Sequence, residues 1–269
     1  MNINFSDPKY LKLIKSIRFK RRCVIAVMII AILACLPTYI SFGDKVIIDK
    51  AFSPWLTALL VILCVFVGLI AYGAVSVPLV TAMDKECDPE KHLVLNTALY
   101  GQDKMDHIFA VDHLYLGNFS VAFDYATRMT TNAKPSYAIS GHFNKARCAF
   151  MLGDKEGLNQ STDRFSSSLS TAKLPQKSVL VFEKMEVLLK LMCAVADNDI
   201  ERIEELRGKA ETWSTSVAAT GFVNYIKGIA AVEADDKVEA VYRLKLVTEN
   251  CPKTVFASLS AEQLSSLKL

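Results

Sequence analysis

The sequence predicts an all-α protein, an N-terminal transmembrane helical hairpin followed by an α-solenoid of stacked helical hairpins. Three observations point there. Residues 23–43 and 51–83 are apolar runs without a single Asp, Glu, Lys or Arg. A basic stretch lies directly in front of the first run. From residue 84 onward, apolar side chains recur at helical spacing and strand-like alternation is hard to find.

Residues 1–22 form a basic juxtamembrane segment. Lys9, Lys12, Lys15, Arg18, Lys20, Arg21 and Arg22 face one acidic residue, Asp7. Tyr10, Leu13, Ile14 and Ile17 fall at helical spacing between them. Such a segment can lie along lipid headgroups with its apolar stripe down. All seven cations are candidate contacts to anionic headgroups, at about 1 kcal/mol each. The plainer reading is a topology signal that happens to be amphipathic.

Residues 23–42 are the first predicted transmembrane helix. A bilayer core of about 30 Å needs roughly 20 helical residues, and this run supplies 20. Pro37 interrupts its last turns. The stretch exceeds the roughly 7–15 apolar residues of a cleaved signal peptide, which favours a retained anchor. Residues 43–54 read as a short extracytoplasmic loop. Residues 55–80 are the second predicted span; thirteen Leu, Ile, Val or Phe lie between Leu56 and Val77. At about −0.3 to −0.6 kcal/mol each, these favour insertion by roughly 4–8 kcal/mol.

Seven basic residues precede the first run and two, Lys45 and Lys50, lie in the connection. This bias predicts an integral membrane protein with both termini in the cytoplasm. The expected setting is the cytoplasmic membrane of a bacterium. Neither run carries an ionisable group of the kind pumps and channels place at membrane depth, so the pair reads as an anchor.

Residues 84–269 are predicted to form a cytoplasmic α-helical domain. It carries 22 basic and 25 acidic groups, which argues against a nucleic-acid partner. The seven cysteines are scattered without a CxxC pair, so neither a zinc site nor a disulfide framework is expected. Asp88-Pro89-Glu90 is a helix start and Gly101 a stop. Asp236 with Glu239, and Ser260 with Gln263, read as capping boxes. The second of these predicts a last helix from Ser260 to Leu267 that covers the end of the stack.

Short breaks recur at Leu116-Gly117-Asn118, Leu152-Gly153-Asp154, Ala196-Asp197-Asn198 and Ala234-Asp235-Asp236. Looser breaks fall near Pro135, Pro175, Trp213 and Pro252. Ala110, Ala146 and Gly228 stand seven positions before Gly117, Gly153 and Asp235. Ala122, Leu158, Ile203 and Ala240 stand five positions after Gly117, Gly153, Asn198 and Asp235. In these positions residues 103–252 resemble a degenerate tetratricopeptide-repeat (TPR) domain. The turns are 36, 45 and 37 residues apart, where the family repeat has 34. The third unit lacks the small crossing residue.

Chemistry is sparse. His107 and His113 lie six apart and cannot share a helical face. With Asp103, Asp106 and Asp112 they read as solvated surface. Ser161, Ser166, Ser167, Ser168 and Ser170 lack a nucleophile elbow and read as a loop or frayed helix end. No phosphate-cradling glycine motif occurs. No catalytic residue, metal site or cofactor is expected, and the chain is not read as an enzyme. The leading expectation is a membrane-anchored scaffold or adaptor that presents its TPR-like groove to a protein or peptide. Asn144, Lys145, Asn224 and Lys227 are the candidate groove residues. The alternative is a structural subunit of a larger membrane complex, packing through its two spans.

Overall fold

The computed structural model describes residues 7–36, 38–42, 45–50, 54–101 and 105–267. They form thirteen helices and one two-stranded hairpin, and divide into two compact units, Asn4–Val80 and Thr81–Leu269.

The first unit opens with α1, Pro8–Cys35. Asp7 caps it, its carboxylate accepting from Lys9 N at 2.8 Å, and Pro8 fits the first turn, where no N–H is needed. The basic stretch and the first apolar run therefore share one unbroken helix. The expected helix over 23–42 is corrected accordingly. α1 ends at Cys35 because Leu36 is extended (φ −73°, ψ 148°); a residue before proline is pushed out of the α region. Only the last turns of α1 are free of charge. Residues 23–35 cover about 20 Å at ~1.5 Å each, short of a bilayer core. The loop expected over 43–54 is also revised. Strand β2 (Lys45–Lys50) lies there and pairs antiparallel with β1 (Thr38–Phe42), which takes up the end of the expected first span. Residues 37, 43–44 and 51–53 lie outside the described residues.

α2 spans Pro54–Val75. Among the described residues, Trp55–Val75 is the one helix long and apolar enough to cross a membrane. The expected second span over 55–80 breaks at Ser76, whose hydroxyl donates to Tyr72 O at 3.0 Å. α3 (Val77–Asp84) starts beyond it, and Pro78 cannot supply the N–H that would continue the ladder.

α1 runs antiparallel to the C-terminal half of α2. Arg21 donates to Ser76 Oγ at 2.8 Å and lies over the Tyr72 ring. Farther along, Met28 fills the space beside Gly68, where a Cβ would collide with it. At the end of α1, Cys35 Sγ is 3.9 Å from Cys64 Sγ. Mild oxidation with copper phenanthroline is expected to consume both thiols in one intramolecular cross-link, and Cys35→Ser to abolish it. Failure of the unsubstituted chain to cross-link would refute this pairing of the helices.

The second unit starts with α4 (Pro89–Tyr100), capped by Asp88, which accepts from Lys91 N at 2.9 Å. Four helical hairpins follow: α5 (Asp106–Tyr115) with α6 (Phe119–Thr130), α7 (Pro135–Leu152) with α8 (Lys155–Thr171), α9 (Gln176–Asp197) with α10 (Ile200–Arg207), and α11 (Val217–Glu233) with α12 (Lys237–Asn250). α13 (Val255–Ser266) packs on α11 and α12. Each hairpin turn holds one residue in the left-handed region: Gly117 (φ 81°), Gly153 (71°), Asn198 (55°) and Asp235 (54°). That conformation ends the first helix of the pair. Asp154, Asp199 and Asp236 then cap the returning helix through N–H groups three residues on, at 2.9–3.1 Å.

Two sequence expectations change here. The serine run is helical, because Leu158, Thr162, Phe165 and Leu169 place an inward stripe along α8. The last helix starts at Val255, with Thr254 as its cap, accepting from Ala257 N at 3.4 Å. Ser260 is therefore a buried mid-helix residue and caps nothing.

The first helices α5, α7, α9 and α11 pack on one another in sequence order. Aromatic rings tie the layer together. Phe182 meets Phe165, Phe165 meets Phe143, Phe143 meets Trp213, Trp213 meets Phe222, and Phe222 meets Phe256, with centroids 5.0–6.4 Å apart. Tyr115 on α5 donates to Ala218 O on α11 at 2.8 Å, so the first and fourth hairpins touch directly.

Candidate functional site

The first-helix layer of the second unit lines a half-open pocket of about 300 Å³. α5 contributes Ile108 and Val111, α7 contributes Phe143 and Asn144, and α9 contributes Met185. The segment before α11 adds Trp213, Ser214 and Ser216. Asp84, His92 and His107 also border it. Asp84 and His107 are exposed.

Arg147 on α7 is the decisive side chain. It lines this cavity and is only 2% exposed. Its guanidinium lies 4.1 Å from the Phe222 ring centroid and 5.3–5.5 Å from those of Tyr115, Phe143 and Trp213. Nη1 donates to Asn144 Oδ1 at 3.1 Å. Nε and Nη2 are shielded from solvent and have no hydrogen-bond partner. No carboxylate among the described residues forms an ion pair with it. Ring faces attract a cation, by about 0.5–2 kcal/mol each, but a buried ion loses several kcal/mol of hydration. Burial pulls the Arg147 pKa below its ordinary value, and the neighbouring Tyr115 phenol opposes that shift. Burial also pushes the Tyr115 phenol up to about 12, Arg147 opposing.

The N-terminus of α11 adds to the positive field. Ser216 caps it by accepting from Ala219 N at 3.1 Å, and Ala218 and Ala219 line the cavity. First-turn N–H groups carry the positive end of the helix dipole.

A second polar feature lies beside the cavity. Asp112 on α5 is fully buried, and both its oxygens are 2.8 Å from His92 Nδ1 on α4. The solvated surface expected at Asp112 is corrected by this burial. Burial raises its carboxyl to about 6, with His92 pulling the other way.

Of the candidate groove residues, only Asn144 lines the cavity. Lys145 packs over the Phe123 ring at 5.0 Å. Asn224 is buried and accepts from Arg243 Nη1 at 3.0 Å. Lys227 Nζ donates to Ala210 O at 3.3 Å, and burial lowers its pKa. Of the headgroup candidates, Lys9, Lys12, Lys15, Arg18, Lys20 and Arg22 are exposed, while Arg21 is buried. Tyr10, Ile14 and Ile17, the stripe expected to face lipid, are buried within the protein. Among the described residues no group of His, Cys, Asp or Glu is arranged to hold a metal ion.

Arg147 was missed by sequence reasoning although a signal existed. It is the only charge between Ala146 and Leu152, in a run that is otherwise apolar. No family model matches this chain, and neither the curated proteins nor the solved structures yield a match.

Proposed function

We propose that this chain is a membrane-anchored interaction module, a scaffold or adaptor whose TPR-like helical domain faces the cytoplasm. The observation that carries the reading is the surface of α2. Leu59, Ile62, Phe66 and Leu69 are each more than 60% exposed on a helix without a charged residue. Water would penalise that much uncovered apolar area at roughly 25 cal/mol per Å²; lipid would not. At ~1.5 Å per residue, α2 measures about 33 Å, close to a bilayer core.

α1 is the shorter companion. Its charged turns begin where Arg21 meets Ser76, level with the end of α2. The chain therefore enters and leaves the first unit at the same level, which supports N- and C-terminal flanks on one side of the membrane. The exposed cations of α1 would meet anionic headgroups there. The TPR-like reading of the second unit rests on the left-handed residue at each hairpin turn and on the ordered layer of first helices. Ala110, Ala146, Gly228, Ala122, Leu158, Ile203 and Ala240, the positions of the resemblance, are all buried. Such stacks bind extended or helical segments of a partner.

The second reading, a structural subunit of a larger membrane complex, is favoured by one feature. α1 and α2 leave an apolar groove of about 420 Å³, lined by Ala31, Gly68 and Ala71 among larger side chains. Small residues of this kind let another helix approach closely.

The test is alkaline carbonate extraction with a C-terminal reporter. The full chain is expected to stay in the membrane pellet and the reporter to be active only in the cytoplasm. Release into the supernatant, or a reporter active only outside, would refute the proposal. Recovery of the chain in detergent as a stable hetero-oligomer held through the first unit would favour the subunit reading.

A further inference from the structure

We infer that the Arg147 cavity is a binding site for a small organic carboxylate with an apolar body. The inference goes beyond the interaction-module reading and does not depend on it. A buried guanidinium with a solvent-shielded, unpartnered Nε/Nη2 edge calls for an anion. That edge presents two parallel N–H donors, the geometry that a carboxylate accepts bidentately. Nη1 is already committed to Asn144, so the two-donor Nε/Nη2 edge is what remains to pair with the two oxygens of a carboxylate. The N-terminus of α11 and the Ser214 and Ser216 hydroxyls stand on the same cavity, so negative charge is favoured from a second direction.

The remaining lining sets the rest of the ligand. Ile108, Val111, Phe143, Met185 and Trp213 offer apolar and aromatic faces. Apart from Arg147 and the Tyr115 phenol, the titratable groups on it are His92, His107 and the Asp84 carboxylate, which stands exposed at the rim. At about 300 Å³ the cavity is at the small end of ligand pockets. It therefore suits a compact monocarboxylate.

The pocket is half open, but the Nε/Nη2 edge is shielded from solvent, so a carboxylate reaches it only when a neighbouring side chain moves. The wall carrying Trp213 belongs to the irregular segment between α10 and α11, held by short local bonds such as Thr212 Oγ1 to Ser214 O at 2.6 Å. The other walls are helices. Trp213 lies on the irregular wall with its ring centroid 5.5 Å from the guanidinium, so its fluorescence reports binding.

The chain contains two tryptophans, Trp55 and Trp213. Trp55→Phe, at an exposed position, leaves Trp213 as sole reporter. The full chain in nanodiscs is titrated with benzoate, with acetate and inorganic phosphate as comparisons. Benzoate is expected to give a saturable fluorescence change and a higher melting temperature. Acetate, lacking the apolar body, should bind about tenfold more weakly or worse, and phosphate should give no saturable signal. Arg147→Met is expected to melt higher than the parent without ligand, since a buried unpaired charge is gone, and to show no response to benzoate. Should that variant fail to fold, Arg147→Lys decides. It keeps the charge without the fork, and its affinity for benzoate should fall about tenfold. Absence of any benzoate response in the parent, an undiminished response in Arg147→Met or Arg147→Lys, or a phosphate response stronger than that to benzoate would each overturn the assignment.

Discussion

Replacing Phe256 with alanine is expected to lower the stability of the helical domain by about 3–5 kcal/mol, the range for a large buried aromatic truncated in a core. Phe256 is 1% exposed. Its ring meets Tyr115 at 5.2 Å edge-on, Phe222 at 5.0 Å and Tyr225 at 5.2 Å. These three rings come from α5 and α11, the first helices of the first and last hairpins. The variant therefore removes the side chain on which the two ends of the stack converge. Val255, Leu259 and Leu264 of α13 also pack on the core but are only partly buried, and Lys253 just before it, which bonds the Asp88 cap of α4 at 2.6 Å, is half exposed. For a domain of this length about 1 kcal/mol shifts Tm by ~2–4 °C, so a fall of roughly 6–20 °C should appear in thermal melts of the full chain followed by circular dichroism. Ser265→Ala, on the exposed side of α13, serves as the control and should change little. A Phe256→Ala melt within a degree or two of the parent would show that α13 does not close the stack.

The elements most legible in the sequence were those announced by a capping carboxylate or a left-handed turn residue. Asp88 before Pro89, Asp236 before Glu239, and the reversals at Gly117, Gly153, Asn198 and Asp235 all depend on the residue at the turn itself. Such signals are local, so one sequence suffices to read them. The elements that were not legible are set by something farther away. The count of uncharged residues marked 23–42 as a span, yet the helix stops at Cys35 because of a single proline, and its start lies fifteen residues earlier at Pro8. The serine run looked like a loop by composition, whereas its helix is imposed by Leu158 and Phe165 packing inward.

The candidate site was harder still. Asn144 was legible as a polar residue on a first helix. Arg147 lies one turn further along the same face, but what makes it unusual is the set of rings around it. Trp213 and Phe222 are more than sixty residues away, and nothing in the local pattern of α7 shows that they converge on its guanidinium. Nor does the sequence around Asp112 reveal that His92, twenty residues earlier, reaches it from α4.

That His92–Asp112 contact leads to the second large effect. Leaving a buried carboxylate without its hydrogen-bond partner typically costs ~1–3 kcal/mol, and more when the group is charged. His92→Ala is accordingly expected to destabilise the domain by about 3 kcal/mol near neutral pH. The pH dependence follows from Asp112. Its folded carboxyl titrates at about 6, above the ordinary 3.8, with burial as the main cause. Between those two values the folded state holds a proton that the unfolded chain has released, so the Asp112 contribution becomes less favourable as pH rises through this window. Without His92 the carboxylate loses the interaction that lowers its pKa, and the folded value moves higher still. The penalty of His92→Ala should therefore be largest at pH 7 and above, and should shrink as the pH falls below about 5, where Asp112 is neutral. Asp112→Asn removes the titrating group and should flatten the Tm profile across pH 4–7, with or without His92. Melting temperatures of the parent, both single variants and the double variant over that range test the argument. A His92→Ala penalty that grows on acidification would reverse its sign and show that His92 and Asp112 do not form the pair that joins α4 to α5.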